Sequence, residues 1–286
     1  MPTPVQTVAV LGAGTMGHGI AQVAATSGFD VRLYDLESAF VERGMERVRG
    51  NLKKGVERGK IEQSAADAAL RRLTATTDLA AACEGAGLVV EATPEDLELK
   101  RALFRRMADL AGPQAVLASN TSSLGIGDIA EAVPEPGRVI GMHFFNPPYI
   151  LTLLEIVRAD VTTDDTLQAA RDAGERMGRD VIVVRDSPGF ATSRLGLVLG
   201  LEAVRMLEAG VASAEDIDRA MELGYRHPMG PLKLTDHVGL DVRLAIAEHL
   251  HREIGEQFRP PELLRRMVAE GKLGKKSGRG FYRWDA

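Results

Sequence analysis

Apolar and polar positions alternate along the chain in two regimes. Over the first two-thirds, short runs of β-branched and apolar residues are separated by stretches with helical spacing. Thr7 to Leu11, Asp30 to Tyr34, Leu73 to Thr76, Leu88 to Ala92, Ala115 to Ser119, Val139 to His143, Leu153 to Val157 and Val181 to Val184 read as strands. Between them, His18 to Ala25, Ser38 to Gly59, Leu97 to Leu110 and Leu167 to Met177 read as helices. In the second helix, Val41, Met45, Val48 and Leu52 form an apolar stripe, with Ser38 as expected N-cap. In the third, Leu99, Leu103, Met107 and Leu110 are expected to face a core, and Lys100, Arg101, Arg105 and Arg106 to face outward. Alternating strands and helices imply a mostly parallel sheet with right-handed crossovers.

The pattern changes at Ser187-Pro188-Gly189. Beyond it only helical periods remain, at about Phe190 to Glu208, Ala214 to Leu223, Leu232 to Ile254 and Pro261 to Glu270. The expected organisation is an α/β domain over residues 1–187, of Rossmann type, followed by an all-α domain over 188–286. Alanine- and leucine-rich helices of this length often bury a face against a second subunit.

The first strand runs into Gly12-Ala13-Gly14-Thr15-Met16-Gly17, a Gly-x-Gly-x-x-Gly turn between a strand and a helix. Gly12 permits the tight turn, Gly14 lets the backbone approach a pyrophosphate, and Gly17 lets the helix lie close to the strand. The helix N-terminus offers N–H groups and partial positive charge to phosphates. Asp35 follows the second strand where an acid accepts hydrogen bonds from a ribose 2′-hydroxyl and repels a 2′-phosphate, which favours NAD over NADP.

Composition narrows the class. With 286 residues, 45% hydrophobic and 26% charged, the chain has ample core for a globular enzyme. A net charge of −5 argues against general nucleic-acid binding. The single cysteine, Cys83, excludes an intramolecular disulfide and suits a reducing compartment. Met1-Pro2-Thr3-Pro4 lacks the charged and apolar regions of a secretory leader, and no apolar run is long enough to span a bilayer. A cytoplasmic protein is expected, with neither metal nor membrane partner. From Arg43 to Lys60 the chain carries seven Lys or Arg against two Glu. That helix face is either simply solvated or a patch for an anionic ligand.

Candidate chemistry lies at strand ends, where open α/β sheets bind ligands. Ser119-Asn120-Thr121-Ser122-Ser123 follows one strand, and His143 ends another. Glu155 interrupts the apolar run Leu151 to Val157, and an unpaired carboxylate there costs several kcal/mol. Either Glu155 is hydrated on an edge strand, or it pairs with His143. A buried Glu bonded to one imidazole nitrogen fixes the tautomer and makes the other nitrogen a better base, suited to taking an alcohol proton as a hydride leaves to nicotinamide.

The chain resembles the 3-hydroxyacyl-CoA dehydrogenase family, especially its short bacterial 3-hydroxybutyryl-CoA members. The resemblance rests on Val10 to Gly17, Val90-Glu91-Ala92, Ala118 to Leu124, His143 to Pro147, Asp186 to Phe190, Pro228 to Pro231 and Gly274 to Tyr282. It implies NAD-dependent oxidation of a 3-hydroxyacyl-CoA, with His143 and Glu155 as catalytic pair and Ser122 holding the 3-oxygen beside the cofactor. It further implies NAD contacts at Gly12, Gly14, Thr15, Met16, Gly17, Asp35, Glu95, Lys100, Asn120, Asn146 and Lys276. CoA contacts are implied near Asn51, Lys54 and Arg58, which favours the anion-patch reading of the cationic helix, and the family implies a homodimer. Ser193 stands where the family usually has an Asn that helps bind the thioester or 3-oxygen. Two other functions fit the same scaffold: a gulonate-type sugar-acid dehydrogenase, and a crystallin-like dinucleotide-binding protein without catalysis.

Overall fold

The computed structural model describes residues 5–284, so the leader reading, which rests on Met1 to Pro4, lies outside the described residues. The chain forms two compact units, Met1–Ser187 and Pro188–Ala286.

The first unit is built on an eight-stranded sheet, in chain order β1 (Thr7–Leu11), β2 (Asp30–Tyr34), β3 (Leu73–Thr76), β4 (Leu88–Glu91), β5 (Val116–Ser119), β6 (Val139–Phe144), β7 (Leu153–Arg158) and β8 (Asp180–Arg185). In space the order is β3-β2-β1-β4-β5-β6-β7-β8. Every neighbouring pair is parallel except β6 with β7, which is antiparallel. The chain moves outward from β1 through β2 to β3, then crosses back to β4 on the other side of β1. That reversal makes the carboxyl ends of β1 and β4 the switch point at which such sheets open a crevice. Strands β4, β5 and β6 are buried at every position, as a sheet covered on both faces requires.

The intervening helices are α1 (Gly17–Thr26), α2 (Ser38–Glu57), α3 (Gln63–Arg71), α4 (Leu79–Cys83), α5 (Leu97–Leu110), α6 (Ile126–Ala130) and α7 (Asp164–Arg176). Helices α3, α4 and α6, of nine residues or fewer, were not expected from periodicity, because so short a helix shows too little of its period. The stripe Val41, Met45, Val48 and Leu52 is buried as expected, but Glu37 rather than Ser38 holds the N-cap position of α2, and no side chain caps it.

Helix α5 corrects a further expectation. Met107 is buried as expected, but the other buried residues are Lys100 and Phe104, while Leu103 and Leu110 are half-buried and Leu99 is 43% exposed. The helix turns inward the face that carries an ammonium group, because a buried carboxylate waits beneath it.

The second unit comprises α8 (Thr192–Glu208), α9 (Ala214–Gly224), α10 (Pro231–Val238), α11 (Leu240–Glu253) and α12 (Glu262–Ala269). The single helix expected over Leu232 to Ile254 is two helices, α10 and α11, broken at Gly239 with φ +103°. Leu197, Leu201, Val204, Leu232, Leu240 and Leu250 form its core. Two acids tie down the C-terminal segment. Asp218 accepts from the backbone N–H groups of Leu232 and Lys233 and from the Tyr282 hydroxyl. Asp236 accepts from the N–H groups of Phe281 and Tyr282 and from the Trp284 indole. Gly230 and Gly280 leave room for these carboxylates, which a Cβ at either position would meet within 2.2 Å.

Among the described residues no helix is long and apolar enough to cross a membrane. At the turn after β1, Gly12 adopts φ +105°, and a Cβ there would lie 2.6 Å from the Ala92 carbonyl oxygen. Gly12→Ala is therefore expected to lower unfolding free energy by about 1–3 kcal/mol, measured in urea, through strain and overpacking.

Candidate active site

The glycine turn joins β1 to α1 at the switch point. A Cβ on Gly17 would meet the Gly12 carbonyl oxygen, which is why helix and turn can approach so closely only with glycine. Gly14 faces open space, with no atom within 4 Å of where its Cβ would stand. The N-terminal end of α1 carries no side-chain cap and no acid in its first turn, so its amides suit a phosphate. Asp35, just beyond β2, accepts from the Ala13 N–H at 2.8 Å and from the Leu36 N–H at 2.8 Å. Those bonds hold its carboxylate against the glycine turn. An open cradle, an uncapped helix and a fixed acid together fit a dinucleotide. His18, unforeseen in the sequence, shapes the same turn: its Nδ1 lies 2.7 Å from the Gly14 carbonyl oxygen. Burial outweighs that bond and, with the nearby Arg47 charge, pulls the His18 pKa down, so the ring bonds in its neutral form.

His143 and Glu155 lie directly opposite each other where β6 pairs antiparallel with β7. Glu155 is fully buried, and its Oε2 stands 2.7 Å from His143 Nδ1. Because β7 runs between β6 and β8, the hydrated edge-strand reading of Glu155 is excluded. With Nδ1–H donating to the carboxylate, Nε2 is the basic nitrogen. The Phe145 ring packs 4.4 Å from the imidazole, centroid to centroid. Asn120, after β5, accepts from the Phe144 N–H at 2.9 Å and so ties the end of β5 to the end of β6 beside His143. Asn146 is exposed on the loop that follows.

A second buried carboxylate, Glu91 at the end of β4, organises the serine cluster. Its Oε1 accepts from Lys100 Nζ, from the Thr93 N–H and from the Thr93 hydroxyl, each at 2.6 Å, and its Oε2 accepts from the Ser119 hydroxyl at 2.6 Å. Lys100 is 1% exposed, against the outward position expected of it, and it also reaches Glu95 at 3.5 Å. Glu95 in turn accepts from the Thr121 hydroxyl at 2.6 Å, from the Ser122 N–H at 3.1 Å and from the Ser123 hydroxyl at 3.0 Å. Partial burial alone would raise the Glu95 carboxyl, but the Thr121 bond, the Lys100 charge and the Ser123 and Ser122 bonds outweigh it and hold the pKa below the usual 4.5. Glu91, Lys100, Glu95 and Ser122 are thus one connected network.

Lys54 in the last turn of α2 and Arg58 at its C-cap are exposed and form no ion pair among the described residues, while Asn51 donates to Gln22 at 3.1 Å. In the second unit, Lys276 is paired with Asp241 at 2.6 Å, and Ser193 lies in the first turn of α8. Among the described residues no group of three or more His, Cys, Asp or Glu is arranged to hold a metal ion.

Residues 7–187 match the family model described as 3-hydroxyacyl-CoA dehydrogenase, NAD binding domain, and residues 189–284 match the model for the same enzymes' C-terminal domain. The chain belongs to the 3-hydroxyacyl-CoA dehydrogenase family. A probable 3-hydroxybutyryl-CoA dehydrogenase of Deinococcus radiodurans is 44% identical over 278 residues, covering 96% of this chain and 99% of that protein. The 3-hydroxybutyryl-CoA dehydrogenase of Mycobacterium tuberculosis is 44% identical over 287 residues, covering 99% of both. The crystal structure of M. tuberculosis FadB2 superposes with a TM-score of 0.95 at 43% identity, covering 99% of this chain and 100% of that one. That of an (S)-3-hydroxybutyryl-CoA dehydrogenase from Ralstonia eutropha gives 0.95 at 38%, with the same coverage. As a member of this family the chain is an NAD-dependent oxidoreductase.

Two outcomes are expected from the Glu91 network of this dehydrogenase. Lys100→Met strands a buried carboxylate and should lower unfolding free energy by about 3–5 kcal/mol, read from urea titrations. Glu95 has a depressed folded pKa, so its stabilisation is complete above the unfolded value near 4.5 and is lost as pH falls through the folded value. The stability difference between the native protein and Glu95→Gln should therefore be constant at neutral pH and shrink below pH 4.5.

Proposed function

We propose that this dehydrogenase oxidises short (S)-3-hydroxyacyl-CoA thioesters, such as 3-hydroxybutyryl-CoA, to 3-oxoacyl-CoA. The observation that carries the reading is the buried Glu155–His143 pair at the carboxyl end of β6, on the same sheet end as the glycine turn. When bound, NAD⁺ supplies the acceptor for the hydride that leaves C3.

The protein's own residues do the rest. The amides around Gly12, Gly14, Thr15, Met16 and Gly17 receive the pyrophosphate, and Asp35 receives the ribose hydroxyls. Glu95, Lys100, Asn120 and Asn146 complete the cofactor's surroundings in this unit, Lys100 from beneath by orienting Glu95, and the resemblance gives Lys276 of the helical unit a cofactor contact as well. His143 Nε2 takes the proton of the 3-hydroxyl, and Glu155 stabilises the imidazolium that results. Ser122 donates a hydrogen bond to the 3-oxygen, where negative charge develops, and the resemblance gives Ser193 of the helical unit a hydrogen bond to the thioester or the 3-oxygen. Asn51, Lys54 and Arg58 meet the CoA phosphates, with the exposed cations of α2 acting as charges in a polar rim. The same reading has the enzyme acting in the cytoplasm as a homodimer assembled through its helical unit.

Absorbance of NADH at steady state tests the reading. Acetoacetyl-CoA should be reduced rapidly, whereas free acetoacetate and gulonate-type acids should not turn over. Preference for the free sugar acid would favour the alternative dehydrogenase, and no turnover at all would favour a non-catalytic role. His143→Gln should lower kcat by about 100- to 10,000-fold while leaving NADH binding, followed by fluorescence, unchanged. Ser193→Asn should change KM or kcat for acetoacetyl-CoA. Identical constants would remove Ser193 from the substrate site.

A further inference from the structure

The two halves of the glycine turn are held by different means. The first half is tied to the β2 side: the Gly12 N–H donates to the Tyr34 carbonyl oxygen at 2.8 Å, and the Ala13 N–H to Asp35 at 2.8 Å. Helix α2 closes on the same half, since a Cβ on Gly44 would lie 2.9 Å from both the Ala13 Cβ and the Ala13 carbonyl oxygen. Gly14 has no such packing, for no atom lies within 4 Å of where its Cβ would stand. A glycine in open space is the residue whose peptide plane turns most freely.

His18 acts on that plane from the helix side. Its backbone N–H reaches the Gly14 carbonyl oxygen at 3.3 Å, long for such a bond, whereas the Ile20 N–H reaches the Met16 oxygen at 2.9 Å. The side chain supplies the shorter contact, with Nδ1 2.7 Å from the same Gly14 oxygen. Because a carbonyl can only accept, Nδ1 carries the proton. The ring is itself seated: His18 is buried, and its ring stands 6.5 Å from that of Tyr149, centroid to centroid. Beside it, Gly19 admits Pro148, whose Cδ would lie 2.8 Å from a Cβ there. A trans peptide sets the C=O of one residue and the N–H of the next on opposite sides of their bond. With the Gly14 carbonyl drawn along α1 toward His18, the Thr15 N–H points the other way, out of the N-terminal end of the helix.

We propose that His18 is a positioning residue of the cofactor site, whose Nδ1–H locks the Gly14–Thr15 peptide plane so that the Thr15 N–H stays aimed at the pyrophosphate. The inference deepens the function proposed above and rests on the glycine turn receiving that pyrophosphate. Gly14 leaves space for a phosphate to approach the backbone, and the imidazole removes the rotational freedom that comes with it. Without the Nδ1 bond the plane would sample several orientations. Only those with the Thr15 N–H outward bind the phosphate fully, so the apparent affinity would fall with their population.

The experiment follows NADH binding by fluorescence in the full-length enzyme and in H18L, H18N and H18Q, with displacement by ADP-ribose and by adenosine, the KM for acetoacetyl-CoA and the Tm. The amide nitrogen of Asn stands where Nδ1 does, whereas the amide of Gln reaches the position of Nε2. H18L and H18Q should bind NADH and ADP-ribose about 10-fold more weakly, and H18N should stay within about threefold of the native enzyme. Adenosine carries no phosphate, so its affinity should be unchanged in H18Q, as should the KM for acetoacetyl-CoA and the Tm. Native affinity for NADH in H18Q would overturn the proposal, as would an H18N as weak as H18Q. A loss shared by adenosine, or a fall in the Tm of H18Q alongside the loss, would overturn it too, because His18 would then be structural. If H18L does not fold, the comparison of H18N with H18Q decides alone. The native enzyme should bind ADP-ribose more tightly than adenosine. Equal affinities there would overturn the placement of the pyrophosphate on the glycine turn together with this inference, whereas failure confined to the variants overturns the role of His18 alone.

Discussion

A fully buried carboxylate opposite an imidazole is the constraint on which the α/β unit depends. Glu155 stays charged at modest cost only if His143 lies within hydrogen-bond reach, and the 2.7 Å contact is secured by backbone pairing rather than by flexible side chains. The antiparallel step from β6 to β7 does this. It sets residue 143 directly against residue 155 within an otherwise parallel sheet. Since β6 itself runs parallel to β5, its histidine emerges at the sheet end where β1 opens into the glycine turn and β5 into the serine cluster. One change of strand direction thus brings the paired imidazole to the sheet end that carries the glycine turn.

The second buried carboxylate repeats this logic with a different partner. Glu91 lies at the end of β4, beside the switch point, and draws Lys100 of α5 beneath the sheet end. The ammonium then extends to Glu95, whose remaining bonds go to Thr121, Ser122 and Ser123. A loop of small polar residues is mobile by default, and here it is bonded to a charge network rooted in two elements of regular structure. Ser122 is ordered from below by groups that need never touch a substrate.

The strand positions, the glycine turn and the Glu155–His143 pairing were legible because each follows from a local rule. An apolar run marks a buried strand, and an acid inside one demands a partner. Lys100 was not legible. Leu99, Leu103 and Met107 suggest one inward face, and the Glu91 carboxylate beneath α5 draws Lys100 inward while Leu99 is left exposed. The break at Gly239 escaped notice because α10 and α11 continue the same apolar rhythm on either side of a left-handed glycine. Buried charges found by tertiary contact leave little trace in periodicity.

The dehydrogenase reading stands or falls on whether His143 and Glu155 act as one unit. The direct measurement is a double-mutant cycle in kcat for (S)-3-hydroxybutyryl-CoA oxidation, using H143Q, E155Q and the double variant. If Glu155 works only through His143, the double variant should be no slower than H143Q alone. Losses that simply add would contradict the account, because Glu155 would then contribute independently of the imidazole it holds.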